Sequence, residues 1–239
     1  MIGTGTLANT AAVVVGGALG MVMGNRMKPA IQDTLMHALG MATMFIGISG
    51  TLKEMLRFEN GALSVEGSML MIVSLVIGSV VGAWLEIENK LDDMGVWLKA
   101  RVKAKNDSRF VEGFVTTSLV ICVGAMAVVG SLQDGLTGDA AMLYTKSVLD
   151  FILVMIFAST MGVGVLFSAV PLFLYQGGIT LFAGVLAPLL GAAVISDLSL
   201  VGNVLIFGVG VNVAFGKKLA VGNMLPALIV TAVYSLFMR

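Results

Sequence analysis

Residues 171–215 read PLFLYQGGITLFAGVLAPLLGAAVISDLSLVGNVLIFGVGVNVAF, and the one charged side chain in the whole stretch is Asp197. A helix crosses a bilayer in about 20 apolar residues, so this run is too long for one crossing and suits two. Asp197 and its neighbours divide it, which predicts spans at 171–195 and 200–215. Upstream, the same reading predicts spans near 5–24, 34–52, 65–85, 110–130 and 148–168. Downstream it predicts one at 220–237, after Lys217 and Lys218, for eight in all.

The composition agrees. Of 239 residues, 58% are hydrophobic and 12% charged, and the mean hydropathy is +1.00. A soluble domain carries roughly 25% charged residues. The predicted fold is therefore an all-α integral membrane protein, 1–239 as a single polytopic domain, with little length left for an extramembrane catalytic domain. The 14 basic and 14 acidic residues cancel, leaving no global field to hold nucleic acid. No basic residue precedes the first apolar run, so it reads as a retained span rather than a signal peptide.

Lysine and arginine near the spans set orientation. With eight spans, Arg26, Lys28, Lys90, Lys99, Arg101, Lys103, Lys105, Arg109, Lys217 and Lys218 share one side, and Lys53, Arg57, Lys146 and Arg239 the other. The richer side is expected in the cytoplasm, with both termini outside. Residues 86–109 form the one sizeable polar excursion. Leu91, Met94, Trp97 and Leu98 approximate one helical face there, which fits an amphipathic helix on the cytoplasmic interface.

Glycine is abundant, with 30 residues. Gly16, Gly20 and Gly24 recur every four residues, and Gly78 with Gly82 repeats the spacing; such faces let helices approach closely within a chain or between subunits. The second possibility makes a homo-oligomer an expected partner state. Residues 15–20, VGGALG, resemble residues 77–82, IGSVVG, and residues 50–52 resemble 130–132, which suggests a duplicated helical hairpin. Pro188, deep in the sixth run, removes an amide donor and crowds the preceding turn, so a broken or kinked sixth helix is expected.

The polar positions within spans are the candidates for function. Asn9, Asn203, Asn212 and Asn223 each offer a donor and an acceptor, able to join helices or to hold a solute. Asn203 and Asn212 point about 180° apart on an unbroken helix, whereas Asn203 and Gly210 share a face. Asp33, Glu66, Glu112, Asp150 and Asp197 fall at expected span boundaries, where carboxylates suit helix starts; Glu112 and Asp150 are the least comfortable in water, because apolar sequence follows at once. Asp33 and His37, four residues apart, form a candidate pair for a cytoplasmic vestibule with proton coupling.

Other chemistries find no footing. Cys122 is the single cysteine, no zinc-ligand spacing is present, and the 17 methionines are scattered rather than clustered, so no metal or cofactor is expected. No phosphate-binding glycine loop ends in Gly-Lys-Ser/Thr, and no catalytic constellation emerges.

Residues 45–52 (FIGISGTL), Asn9 with Gly16 and Gly20, residues 201–218, and residues 221–228 (VGNMLPAL) resemble the bacterial domain-of-unknown-function family numbered 554 across essentially the whole chain. The resemblance implies a multi-span inner-membrane protein often described as a transport protein, and supplies no substrate or catalytic residue. The favoured function is a secondary transporter or permease for a small solute or ion. The alternative is a non-transporting structural or interaction protein in contact with membrane lipid; a channel and an intramembrane enzyme rank lower.

Overall fold

The computed structural model describes residues 2–24, 28–59, 61–104, 108–122, 125–216 and 218–238. Arg26, Lys105, Lys217 and Arg239, counted above for orientation, lie outside the described residues. Helices dominate, and their order is α1 (Thr4–Gly24), α2 (Pro29–Met55), β1 (Leu56–Glu59), β2 (Ala62–Val65), α3 (Ser68–Trp84), α4 (Ile87–Arg101), α5 (Phe110–Cys122), α6 (Ala125–Thr137), α7 (Ala141–Met161), a 3-10 segment Val163–Ser168, α8 (Ala169–Leu181), α9 (Ala183–Leu186), α10 (Ala192–Phe215), a 3-10 turn Val221–Met224 and α11 (Pro226–Met238). The protein is an all-α integral membrane protein with one small hairpin.

Among the described residues, five segments are long and apolar enough to span: α1, α2, α7, Val163–Leu181 and α10. The pairs α3 with α4 and α5 with α6 are each bent at a short break, and counting each pair as one span gives seven. Val221–Phe237 is apolar but shorter, so length and apolarity alone do not reach the expected eight.

Two compact units make up the chain: Met1–Leu39 with Leu91–Pro188, and Gly40–Lys90 with Leu189–Arg239. In the first, α1 lies along α7 in parallel. A Cβ at Gly16 would come 2.6 Å from the Phe151 carbonyl oxygen, and Cβ atoms at Gly20 and Gly24 would strike the Met155 and Ser159 carbonyls. Glycine is what lets these backbones touch. Of the two expected uses of this glycine face, within a chain or between subunits, the first is seen: α7 of the same chain occupies it. Gly162, with φ 82°, ends α7 in a conformation that side chains rarely adopt, and the chain returns through Val163–Ser168 into α8.

The second unit uses the same device with antiparallel partners. Cβ atoms at Gly40, Gly47 and Gly50 would meet Ala214, Phe207 and Asn203 of α10, while Gly78 faces Ala227 at the start of α11 and Gly82 faces Asn223 in the 3-10 turn before it. The matched glycines of α1 and α3 thus serve one purpose against neighbours that run in opposite directions. Between α2 and α3 the hairpin pairs Leu56 with Val65 and Phe58 with Leu63. These four apolar side chains share one exposed face.

Several boundaries differ from those predicted. The span expected at 148–168 begins earlier, at Ala141, where Asp139 Oδ1 accepts the Ala141 amide at 3.0 Å, and ends earlier, at Gly162. Asp197 does not separate two spans but lies inside α10, buried, where it accepts the Ser235 hydroxyl at 2.5 Å. The interruption near the sixth run falls at Phe182, between α8 and α9; Pro188 follows in an exposed turn before α10 and does not kink a helix interior. Hydropathy averages over such ends, because a buried, bonded charge looks like a wet one in sequence.

A buried polar cluster as the candidate functional site

The parallel seam of α1 and α7, closed on one side by α8, carries polar groups from all three helices. The i, i+3 spacing of Thr6 and Asn9 places both on one face of α1, and the i, i+4 spacings of Lys146 with Asp150 and of Gln176 with Thr180 do the same on α7 and α8. Asn9 Nδ2 donates to Asp150 Oδ2 at 2.9 Å and to Gln176 Oε1 at 3.3 Å. Lys146 Nζ donates to the same Asp150 oxygen. The Thr6 and Thr180 hydroxyls lie 3.4 Å apart. Asn9 and Gln176 have no exposed surface; Asp150 is 6% exposed and Lys146 7%. At about 1.5 Å per residue, Asp150 sits about 13 Å into a helix of about 30 Å, near its middle.

An ion pair at that depth is costly to build. Its mutual attraction offsets desolvation only with good geometry and further hydrogen bonds, which Asn9 supplies in part. The satisfaction is incomplete: Asn9 Oδ1 and Gln176 Nε2 are buried without a hydrogen-bond partner among the described residues, as are Thr117 Oγ1 in α5 and Ser131 Oγ in α6. Each such group costs about 1–3 kcal/mol relative to a bonded one. A purely structural network gains nothing from orphans, whereas a site that takes up a polar guest needs uncommitted donors and acceptors. Cys122, at the end of α5, lies within electrostatic reach of Lys146 and Asp150.

Beside this cluster the unit has a firm anchor and an open mouth. Asp134 of α6, fully buried, accepts the Gly3 and Gly5 amides at 3.0 Å and so caps the start of α1. At the opposite end of α1 and α7 is a cavity of about 540 Å³ lined by Gly24, Gln32, Ser108, Arg109, Thr160 and Gly162, among others. Arg109 donates to the Thr160 carbonyl at 3.2 Å and lies 3.8 Å from the Asp33 carboxylate.

The residues singled out from sequence fall in several places. Asn9 is at the centre of the cluster. Asp33 is at the cavity's edge with Arg109, while His37 is exposed and, among the described residues, has no bond to Asp33. Asn203 donates to its own helix at the Ser199 carbonyl, 2.7 Å, and packs against Gly50. Asn212 donates to the Leu219 carbonyl at 2.7 Å and accepts the Lys218 and Leu219 amides, which ties down the turn after α10. Asn223 accepts the Glu88 amide at 2.8 Å, and Glu88 in return accepts the Gly222 amide at 2.6 Å. Gly210 makes room for the Met44 backbone. Pro188 is in a turn.

Lys146, Asp150 and Gln176 are the residues that sequence reading did not assemble. By sequence position Asp150 suits a helix start and Lys146 a loop, yet their i, i+4 spacing and the lone glutamine of the run at 171–195 are both visible in the sequence. Among the described residues no group of three or more His, Cys, Asp and Glu side chains converges as a metal site.

The family described as "Protein of unknown function (DUF554)" matches residues 4–236. The chain is 31% identical over 229 residues to the "Uncharacterized membrane protein YdfK" of Bacillus subtilis (strain 168), covering 96% of this chain and 94% of that one. It is 27% identical over 230 residues to the "Uncharacterized protein YqgA" of Escherichia coli (strain K12), covering 94% and 93%. No solved structure matches.

Proposed function

We propose that this chain, which belongs to the DUF554 family of membrane proteins, is a secondary transporter for a small polar solute or ion, and that the cluster of Asn9, Lys146, Asp150 and Gln176 is its binding site. The observation that carries this reading is the pairing of Lys146 with Asp150 inside an apolar helix, beside two fully buried amides that keep unused hydrogen-bonding atoms. In lipid such groups mark substrate or proton pathways more often than scaffolding. The cavity edged by Arg109 and Asp33 serves as the mouth on one side. Read over eight spans, the lysine and arginine tally supports both termini outside the inner membrane; Lys146, being buried, no longer counts in it.

The interaction-module alternative draws on the exposed apolar face of the β1–β2 hairpin. Reconstitution separates the two. Purified protein in vesicles should move at least one small ion or metabolite with saturable kinetics, and Gln176→Leu should impair that flux at matched folded abundance. Folded protein that moves nothing across a broad set, with or without the substitution, would return the cluster to a structural role.

A further inference from the structure

The geometry points to Asp150 as a proton carrier whose protonation releases Lys146 to receive a small monovalent anion, so that anion and proton travel together. This inference rests on the transport reading above and assigns its substrate class.

The reasoning begins with charge. The cluster's charged groups are Lys146 and Asp150, which sum to zero. Among the elements packed against α7, α1 and Val163–Ser168 bring no titratable side chain. The others bring Cys122 and Glu112 from α5, Asp134 from α6 and Tyr175 from α8, with Tyr144 on α7 itself. Glu112 is in the first turn of α5, Asp134 is committed to the Gly3 and Gly5 amides, and the Tyr144 hydroxyl donates to Thr4 at 3.1 Å. A site of low dielectric tolerates a net charge poorly. An anion added alone would leave it negative, and one proton on Asp150 restores neutrality. A cation added alone would require loss of a proton from Lys146.

The uncommitted atoms favour the anion. Both hydrogens of Asn9 Nδ2 are engaged, by Asp150 and by Gln176 Oε1. What remains is Gln176 Nε2 and the further N–H groups of the Lys146 ammonium, a set of donors suited to an anion. The orphan acceptor beside Asp150, Asn9 Oδ1, is needed in the protonated state: a carboxamide that donates to a carboxylate accepts from a carboxylic acid once it turns over. The step balances. A proton from water binds Asp150, the Lys146 contact to that carboxylate breaks, and an ammonium–anion contact forms. On the other side the anion leaves, the proton returns to water and the pair closes again. The net movement is one proton with one anion and no charge.

The test uses wild-type protein in vesicles with a pH dye inside, supplied in turn with the sodium salts of chloride, nitrate and lactate, and with sulfate as a divalent comparison. The expected result is protein-dependent acidification of the lumen on adding one of the monovalent anions, at one proton per anion and unchanged by an imposed potassium–valinomycin potential. Asp150→Asn, which resembles the protonated acid, should abolish proton movement while retaining exchange of labelled anion. Because the wild-type stoichiometry stands alone, a misfolded variant does not blunt the test. Sodium-driven alkalinisation of the lumen would overturn the anion assignment in favour of cation–proton exchange. Anion flux without proton movement, or coupling that survives in Asp150→Asn, would overturn the role of Asp150 while leaving transport intact. Absence of flux for any probe by folded protein would remove the transport reading and this inference with it.

Discussion

The two units use their amide side chains in different ways. In the first, side chains bind side chains: Asn9 bridges Asp150 and Gln176, and Lys146 shares the carboxylate. In the second, Ser235 donates to buried Asp197, but the half-buried asparagines bind backbone. Asn212 and Asn223 secure the turn after α10 and the first turn of α4, and Asn203 returns to its own helix. The lesson concerns capacity. An amide engaged by backbone has one stable arrangement, whereas a side-chain network with spare donors and acceptors has alternatives, and alternatives are what a binding cycle requires.

Substitutions can break this contrast, beginning where the effect is greatest. Asp150→Ala strands the Lys146 charge and should cost about 3–5 kcal/mol of stability, while a Lys146→Met and Asp150→Leu double variant should recover much of that loss. Thermal unfolding in detergent reads both; equal losses in single and double variants would mean that the pair is not coupled. Gly20→Leu drives a side chain into the Met155 carbonyl and should cost about 1–3 kcal/mol or more, lowering the stability of the monomer itself. If only the native mass changed and the monomer stayed intact, the α1–α7 seam would be the wrong place for this glycine.

Asn223→Ala in the second unit should cost about 1–2 kcal/mol, measured by the same unfolding, and leave substrate affinity unchanged. A shift in affinity at constant stability would erase the distinction between the units. His37→Gln should be smallest, within about 0.5 kcal/mol, because the ring is exposed and has no bond to Asp33. Loss of proton coupling in that variant would relocate the proton site to the α2 mouth.

Membrane class and helical architecture were legible because hydropathy is a summed property and survives local errors. The glycine faces were legible as close contacts, but not which helix would fill them: α1 and α3 carry the same spacing and meet partners of opposite direction. The hairpin at Leu56–Val65 is not legible because its alternation, Leu56-Arg57-Phe58-Glu59, is only four residues long and follows the charges of Lys53 and Glu54. At the candidate site, Asn9 was found and Asn203, Asn212 and Asn223 were found with it. One sequence cannot tell an asparagine that bridges two neighbouring helices from one that ties a turn. Lys146 was missed because a charge near an expected span end reads as solvated, while its burial depends on α1 and α8, which arrive from far away in the chain.

Water access to the cluster is the most direct test of the central claim, and the single cysteine reports on it without knowledge of the solute. Cys122 is half-buried and within electrostatic reach of Lys146 and Asp150. Intact vesicles holding the folded protein should be treated with a small, charged methanethiosulfonate that does not cross lipid, and modification counted by mass. A transport site that opens to water predicts slow but complete labelling of Cys122, slower still in a Gly-to-Ala variant at Gly16 that wedges the α1–α7 seam if the fold is retained. A thiol that stays unmodified in the membrane, yet reacts fully once the protein is unfolded in detergent, would contradict the account and leave the cluster as sealed structural glue.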